Sequence, residues 1–196
     1  MLALIGFLSG CAITSNPYNE PLPIGFPYYG FLPGDDFKIY DSQKKFDFAN
    51  KTIGFELIDA RGSNKNAQCI GFELDRNTEL EGNRGMGLVS EYFGTSLQNT
   101  NAKFDLKTEP KLRVEVEGLS FKMEGFGQIT IHGVVQLKVS RGNLVKTYCV
   151  DLTDKDNDPY SPLKWYSFDT RVGACRKMVS AAIRKAVDQI LEDLVL

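Results

Sequence analysis

Apolar and polar positions alternate in TIGFELIDA, with Ile53, Phe55 and Leu57 turned to one face, which is the period of a β-strand. A loop rich in Gly, Ser and Asn follows to Asn66, and GFELDRNTEL then reads as a short strand or an irregular extension. Over Arg84 to Gln98 the period lengthens, and Met86, Val89, Phe93 and Leu97 recur at helical spacing. Gly85, Gly87 and Gly94 each weaken that helix by up to ~1 kcal/mol relative to alanine, so packing must hold it. KLRVEVEG restores alternation, with Leu112, Val114 and Val116 on one side and Lys111, Arg113, Glu115 and Glu117 on the other. After Gly118 the apolar parity moves to Leu119, Phe121 and Met123, which predicts a β-bulge.

QITIHGVVQLKV is the next strand, with Ile129, Ile131, Val135, Leu137 and Val139 on one face. Arg141-Gly142-Asn143 makes a turn and LVKTYCVDL returns, so these are consecutive antiparallel strands with one face buried and one polar. ACRKMVSAAIRKAVDQILEDLVL closes the chain as an amphipathic helix. Its apolar stripe is Val179, Ile183, Ala186, Val187, Ile190 and Leu194, and Arg176, Lys177, Arg184 and Lys185 sit mostly off it. Such a stripe is better suited to core packing than to lying on a membrane. The expected fold is α+β: an antiparallel sheet of about four strands with two helices on one face, in the order β-α-β-β-β-α.

Upstream of this body the pattern disappears. Residues Ala12 to Asn50 carry Pro17, Pro21, Pro23, Pro27 and Pro33, which remove backbone donors and fix φ, so no regular helix or central strand is expected there. At ~3.1 Å per residue an extended linker of this kind holds a domain tens of ångströms from its anchor point. Phe26, Tyr28, Tyr29 and Phe31 make it unusually aromatic for a spacer, and they suit packing on the chain's own sheet or contact with a partner.

The first eleven residues end in FLSGC. Met1 to Leu8 supplies a short apolar run and Ser9 and Gly10 are small, as at a secretory cleavage site, although a basic leading region is missing. The Leu8-Ser9-Gly10-Cys11 tetrad resembles the bacterial lipobox. The alternative is a buried strand with an incidental cysteine. The lipobox resemblance implies cleavage between Gly10 and Cys11, diacylation of Cys11 and acylation of the new N-terminus. One acyl chain anchors marginally and several hold firmly. Ala12 after the cysteine resembles the pattern for sorting to the outer membrane, and the missing basic region suggests a true start upstream of Met1. The organisation read from the sequence is thus a truncated signal over 1–10, a lipidated tether over 11–50 and one domain over 51–196.

Composition narrows the function classes. In 196 residues, 23 basic and 25 acidic side chains are intermixed for a net charge of −2, with no basic tract of the kind that tracks nucleic-acid phosphates. No window reaches the ~18 apolar residues that a spanning helix needs. The cysteines are Cys11, Cys69, Cys149 and Cys175, with no C-x-x-C pair and a single histidine, His132, so a zinc cluster is not expected. With Cys11 acylated, three thiols remain. Cys149 closes a strand and Cys175 opens the last helix, which makes them the candidate disulfide.

Little catalytic chemistry is visible. Asp59 and Arg61 lie two apart at a strand end and share a face, as an ion pair, a capped loop or a contact site. Asp154-Lys155-Asp156-Asn157-Asp158 starts like a calcium loop, but Pro159 stands where glycine is needed and Trp165 where glutamate is needed. His132 falls on the polar face of its strand, and no G-x-S-x-G elbow accompanies it. Glu124 to Gln128 contains G-x-G between strands, so it reads as a hairpin and not a phosphate cradle. No enzyme, metal or cofactor is expected.

A first strand ending Leu57-Ile58-Asp59-Ala60-Arg61, a helix, a meander opened by Leu112 to Leu119 and a closing helix follow the lipobox and tether in order. That sequence of features resembles the YajG-type family of bacterial lipoproteins over roughly residues 50 to 194. The chain departs from the family pattern in its longer, more aromatic tether and in the insertion around Cys69 to Leu80. The resemblance implies an envelope lipoprotein facing the periplasm, most simply from the outer membrane, and supplies no catalytic residues. The expected role is interaction with, or support of, an envelope protein assembly. The alternative is a module binding a small envelope ligand, a lipid or a glycan fragment.

Overall fold

The computed structural model describes residues 39–61, 69, 71–72, 74, 83–98, 100, 102–125, 129–155, 157–163 and 171–195. Five strands and two helices follow one another: β1 (Thr52–Asp59), α1 (Asn83–Gln98), β2 (Lys103–Asp105), β3 (Lys111–Glu124), β4 (Thr130–Arg141), β5 (Leu144–Thr153) and α2 (Arg171–Val195). They form one sheet in the order β2-β1-β3-β4-β5 with the two helices, an α+β fold. The meander β3-β4-β5 is antiparallel as expected. β1 differs: it pairs in parallel with both β2 and β3, so the sheet is mixed. A parallel neighbour requires a crossover connection, and α1 with its flanking segments supplies it. Alternation fixes which face a side chain takes and leaves strand direction open, so this orientation was not readable from the pattern.

The helix-facing layer is built from the alternating residues. Phe55 pairs with Leu112 and Leu57 with Val114, while Val114 pairs with Val139 and Val116 with Leu137, which puts all of them on one face. Met86, Val89, Phe93 and Leu97 of α1 and Val179, Ile183, Ala186, Val187 and Ile190 of α2 close over them, all buried. Phe55 and Phe93 meet at 5.1 Å between ring centroids. Gly133 lets α2 come close, because a Cβ there would stand 2.3 Å from the Met178 carbonyl oxygen.

The parity shift after Gly118 is a bulge. Val116 pairs with Leu137 and Gly118 with Gln136, leaving Glu117 as the extra residue. The two-residue turn Gly142–Asn143 joins β4 to β5, with Gly142 at φ 58°, a conformation suited to glycine.

Two further features depart from the pattern. The face expected to be polar is partly covered: Glu117, Ser120, Val134 and Gln136, which face away from the helices, are buried too. The Leu74 side chain lies over Gly118, whose missing Cβ leaves it room. Residues 39–50, the end of the expected tether, also pack on the body, with Phe48 in the core and Tyr40 and Phe46 against it.

Candidate functional site

The expected disulfide Cys149–Cys175 does not form. Cys149 is bonded to Cys69 across 80 residues, with their α-carbons 6.5 Å apart, and Cys175 keeps its thiol, buried within α2. Parity explains the outcome. Cys149 pairs with Gln136 and therefore sits on the face turned from the helices, whereas α2 covers the opposite face. The bond fastens the Cys69 segment to that second face, beside the buried Glu117–Gln136 pair, in which Gln136 Nε2 donates to Glu117 Oε2 at 2.6 Å.

The disulfide lines an open cleft of ≈ 660 Å³ at the outer edge of the sheet. Cys69, Gly71 and Phe72 form one wall, Lys146 to Cys149 of β5 the floor, and Gln189, Glu192 and Asp193 of α2 the other wall. Lys146 Nζ and Tyr148 Oη both donate to Asp193 Oδ2, the latter at 2.7 Å, and hold its carboxyl below the usual aspartate range. Burial and the facing Asp193 together push the Tyr148 phenol up.

A second cleft, of ≈ 680 Å³, lies between residues 39–46 and the end of α1, with Ser42, Lys44, Lys45, Thr95, Ser96 and Thr100 around it and Arg184 beneath. Arg184 was expected off the apolar stripe; it is 1% exposed. One guanidinium nitrogen donates to Asp188 Oδ1, the guanidinium lies 5.0 Å from the Tyr92 ring centroid, and Nε has no hydrogen-bond partner among the described residues. Asp188 Oδ2 accepts from Tyr160 Oη at 2.8 Å and from the Gln43 backbone N–H at 3.1 Å. Tyr92 Oη bonds to Ser180 Oγ at 2.7 Å and accepts the Tyr40 N–H at 3.0 Å. Burial lowers Arg184 from its ordinary value, and burial pushes Tyr92 up to about 12. Ser180, Arg184 and Asp188 recur every four residues, and that spacing was the signal available in the sequence.

The remaining expectations fall as follows. Arg61 Nε donates to Asp59 Oδ1 at 2.8 Å and its Nη2 to Oδ2 at 2.6 Å, a two-pronged ion pair that closes the end of β1 on itself. His132 lies on the second face, its Nδ1 at 2.8 Å from Asp151 Oδ1 and its Nε2 at 3.7 Å from Glu124, while Lys122 Nζ reaches Glu124 at 3.2 Å and Asp151 at 3.6 Å. Asp154 Oδ1 accepts the Ile131 N–H, and Asp158 accepts from Tyr160 N–H and Lys185, so these two carboxylates of that loop brace the fold. Gly10, Cys11, Phe26, Tyr28, Tyr29 and Phe31 lie outside the described residues. No family model and no curated protein matches the chain. Among the described residues no group of three or more His, Cys, Asp or Glu side chains is placed to hold a metal, and no helix is long and apolar enough to cross a membrane.

Proposed function

We propose that the chain is a bacterial envelope lipoprotein of the YajG type, anchored through acylated Cys11, most simply in the outer membrane and facing the periplasm. Its body acts without catalysis, as an interaction or structural element of an envelope protein assembly. The Cys69–Cys149 disulfide carries this reading. Such bonds persist in oxidising compartments and are rare in reducing ones, so the folded body and the FLSGC segment support the same location from independent residues. The interaction role is favoured by the packing: among the described residues, side chains from both helices and the sheet form one continuous core between them.

Mass spectrometry of the mature N-terminus tests the anchor, with an acylated Cys11 expected and an unmodified, uncleaved Met1 overturning it. Cys11→Ser should move the chain from the membrane to the soluble fraction. Crosslinking and pull-down of the native lipoprotein should then recover a stable envelope partner. The second cleft favours a different reading, a binder of a small glycan fragment, because hydroxyls of Ser42, Thr95, Ser96 and Thr100 surround it beside the Tyr40 and Phe46 rings. Saturable binding of a disaccharide, abolished by Thr95→Trp in a folded chain, would shift the conclusion to that class.

A further inference from the structure

We propose that the Cys69–Cys149 bond is a thiol–disulfide exchange site, opened and closed by a dithiol oxidoreductase that reaches it through the cleft at the outer edge of β5. Three observations carry this. Both cysteines are only half-buried and both line the open cleft, so an incoming thiolate has a path to sulfur. Neither belongs to the hydrophobic core, and β5 is held independently by its paired register with β4 from Leu144 to Thr153. Breaking the bond therefore leaves the sheet and its helix-facing core in place. Cys175, by contrast, is fully buried on the other side of the sheet and is kept out of the exchange.

The electron balance is that of ordinary exchange. A thiolate of the oxidoreductase attacks one sulfur, forming a mixed disulfide and releasing the other sulfur as a thiolate. The second thiol of the oxidoreductase displaces the mixed disulfide, so the oxidoreductase ends as a disulfide and this chain as two thiols. Two electrons pass to this chain, and protonation of the thiolates completes the step. The reverse sequence, with an oxidised partner, restores the cross-link. Cys149 stays on its strand, whereas Cys69 is freed together with the neighbouring Leu74 contact over Gly118.

This inference goes beyond the envelope role and does not use the acyl anchor: an unmodified Cys11 would overturn the anchor and leave the exchange chemistry standing. The test treats the detergent-solubilised full chain, without denaturant, with a thioredoxin-class dithiol protein and then with a maleimide, and maps the labelled cysteines by mass spectrometry. Labelling of Cys69 and Cys149 with Cys175 protected, and unchanged far-UV circular dichroism, is the expected result. A bond that yields only in denaturant, or labelling of Cys175 in step with the pair, overturns the proposal. Gln189→Trp, on the cleft wall, should slow reduction by the dithiol protein about tenfold while dithiothreitol remains within about threefold of its original rate. Equal slowing of both reductants, or of neither, overturns the cleft as the route.

Discussion

Asp188 is the residue on which the buried polar cluster depends, since Arg184, Tyr160 and the Gln43 N–H all donate to it. Asp188→Ala would leave a buried guanidinium without its counter-charge, a change that typically costs about 3–5 kcal/mol. Replacing both partners, as in Arg184→Met with Asp188→Leu, should destabilise the chain less than Asp188→Ala alone, as read by urea denaturation of the three proteins. The Tyr92 phenol provides a pH signature of the same cluster. Burial raises it from 10.0 to about 12, so the unfolded chain loses this proton first. The resulting stabilisation is intact below the unfolded value and fades as pH rises towards the folded one. The stability advantage of the wild type over Tyr92→Phe should accordingly shrink between about pH 10 and about pH 12 in denaturant titrations. The four-residue recurrence of Ser180, Arg184 and Asp188 was visible in the sequence, but their burial was not, because Tyr92 and Gln43 come from distant segments.

The elements themselves were largely legible. The predicted helix over 84–98 and the strands around Val114, Leu137 and Val150 all occur, because a period of two residues or of about 3.6 fixes the buried face directly. The bulge was legible for the same reason, since a slipped parity has no other cheap solution. The parallel pairing of β1 and the covering of the second sheet face were not, because both depend on which elements become neighbours. Two glycines separate these kinds of contact. Gly133 faces the backbone of α2, which cannot yield, whereas Gly118 faces the end of the Leu74 side chain, which can rotate. Gly133→Ala should therefore cost about 1–3 kcal/mol by overpacking and Gly118→Ala distinctly less, measured as the difference in thermal midpoints.

For the molecule as a whole, the cross-link is the feature that the sequence left most open. Three body cysteines allow three pairings, and the choice turns on which face of β5 carries Cys149, a matter of parity that the alternation of Tyr148, Val150 and Leu152 already encodes. Cys69→Ala with Cys149→Ala should leave the chain folded but lower its stability by about 4 kcal/mol, because a long loop is released in the unfolded state. Denaturant midpoints with and without the pair check this. Of the candidate contact residues, Asp59 and Arg61 were legible as partners in sequence and prove to be partners of each other.

The route by which the chain enters its body has a mechanical consequence. Tyr40 and Gln43 hand their backbone N–H groups to Tyr92 and Asp188, and Lys44 pairs with Glu192, so this short stretch runs parallel to α2. A pull applied at Ile39 is therefore delivered first to the junction of the two helices and not to the sheet. Load would peel these attachments one after another from the Tyr40 end, and the segment would yield as a graded fuse before tension reached Phe48 and β1.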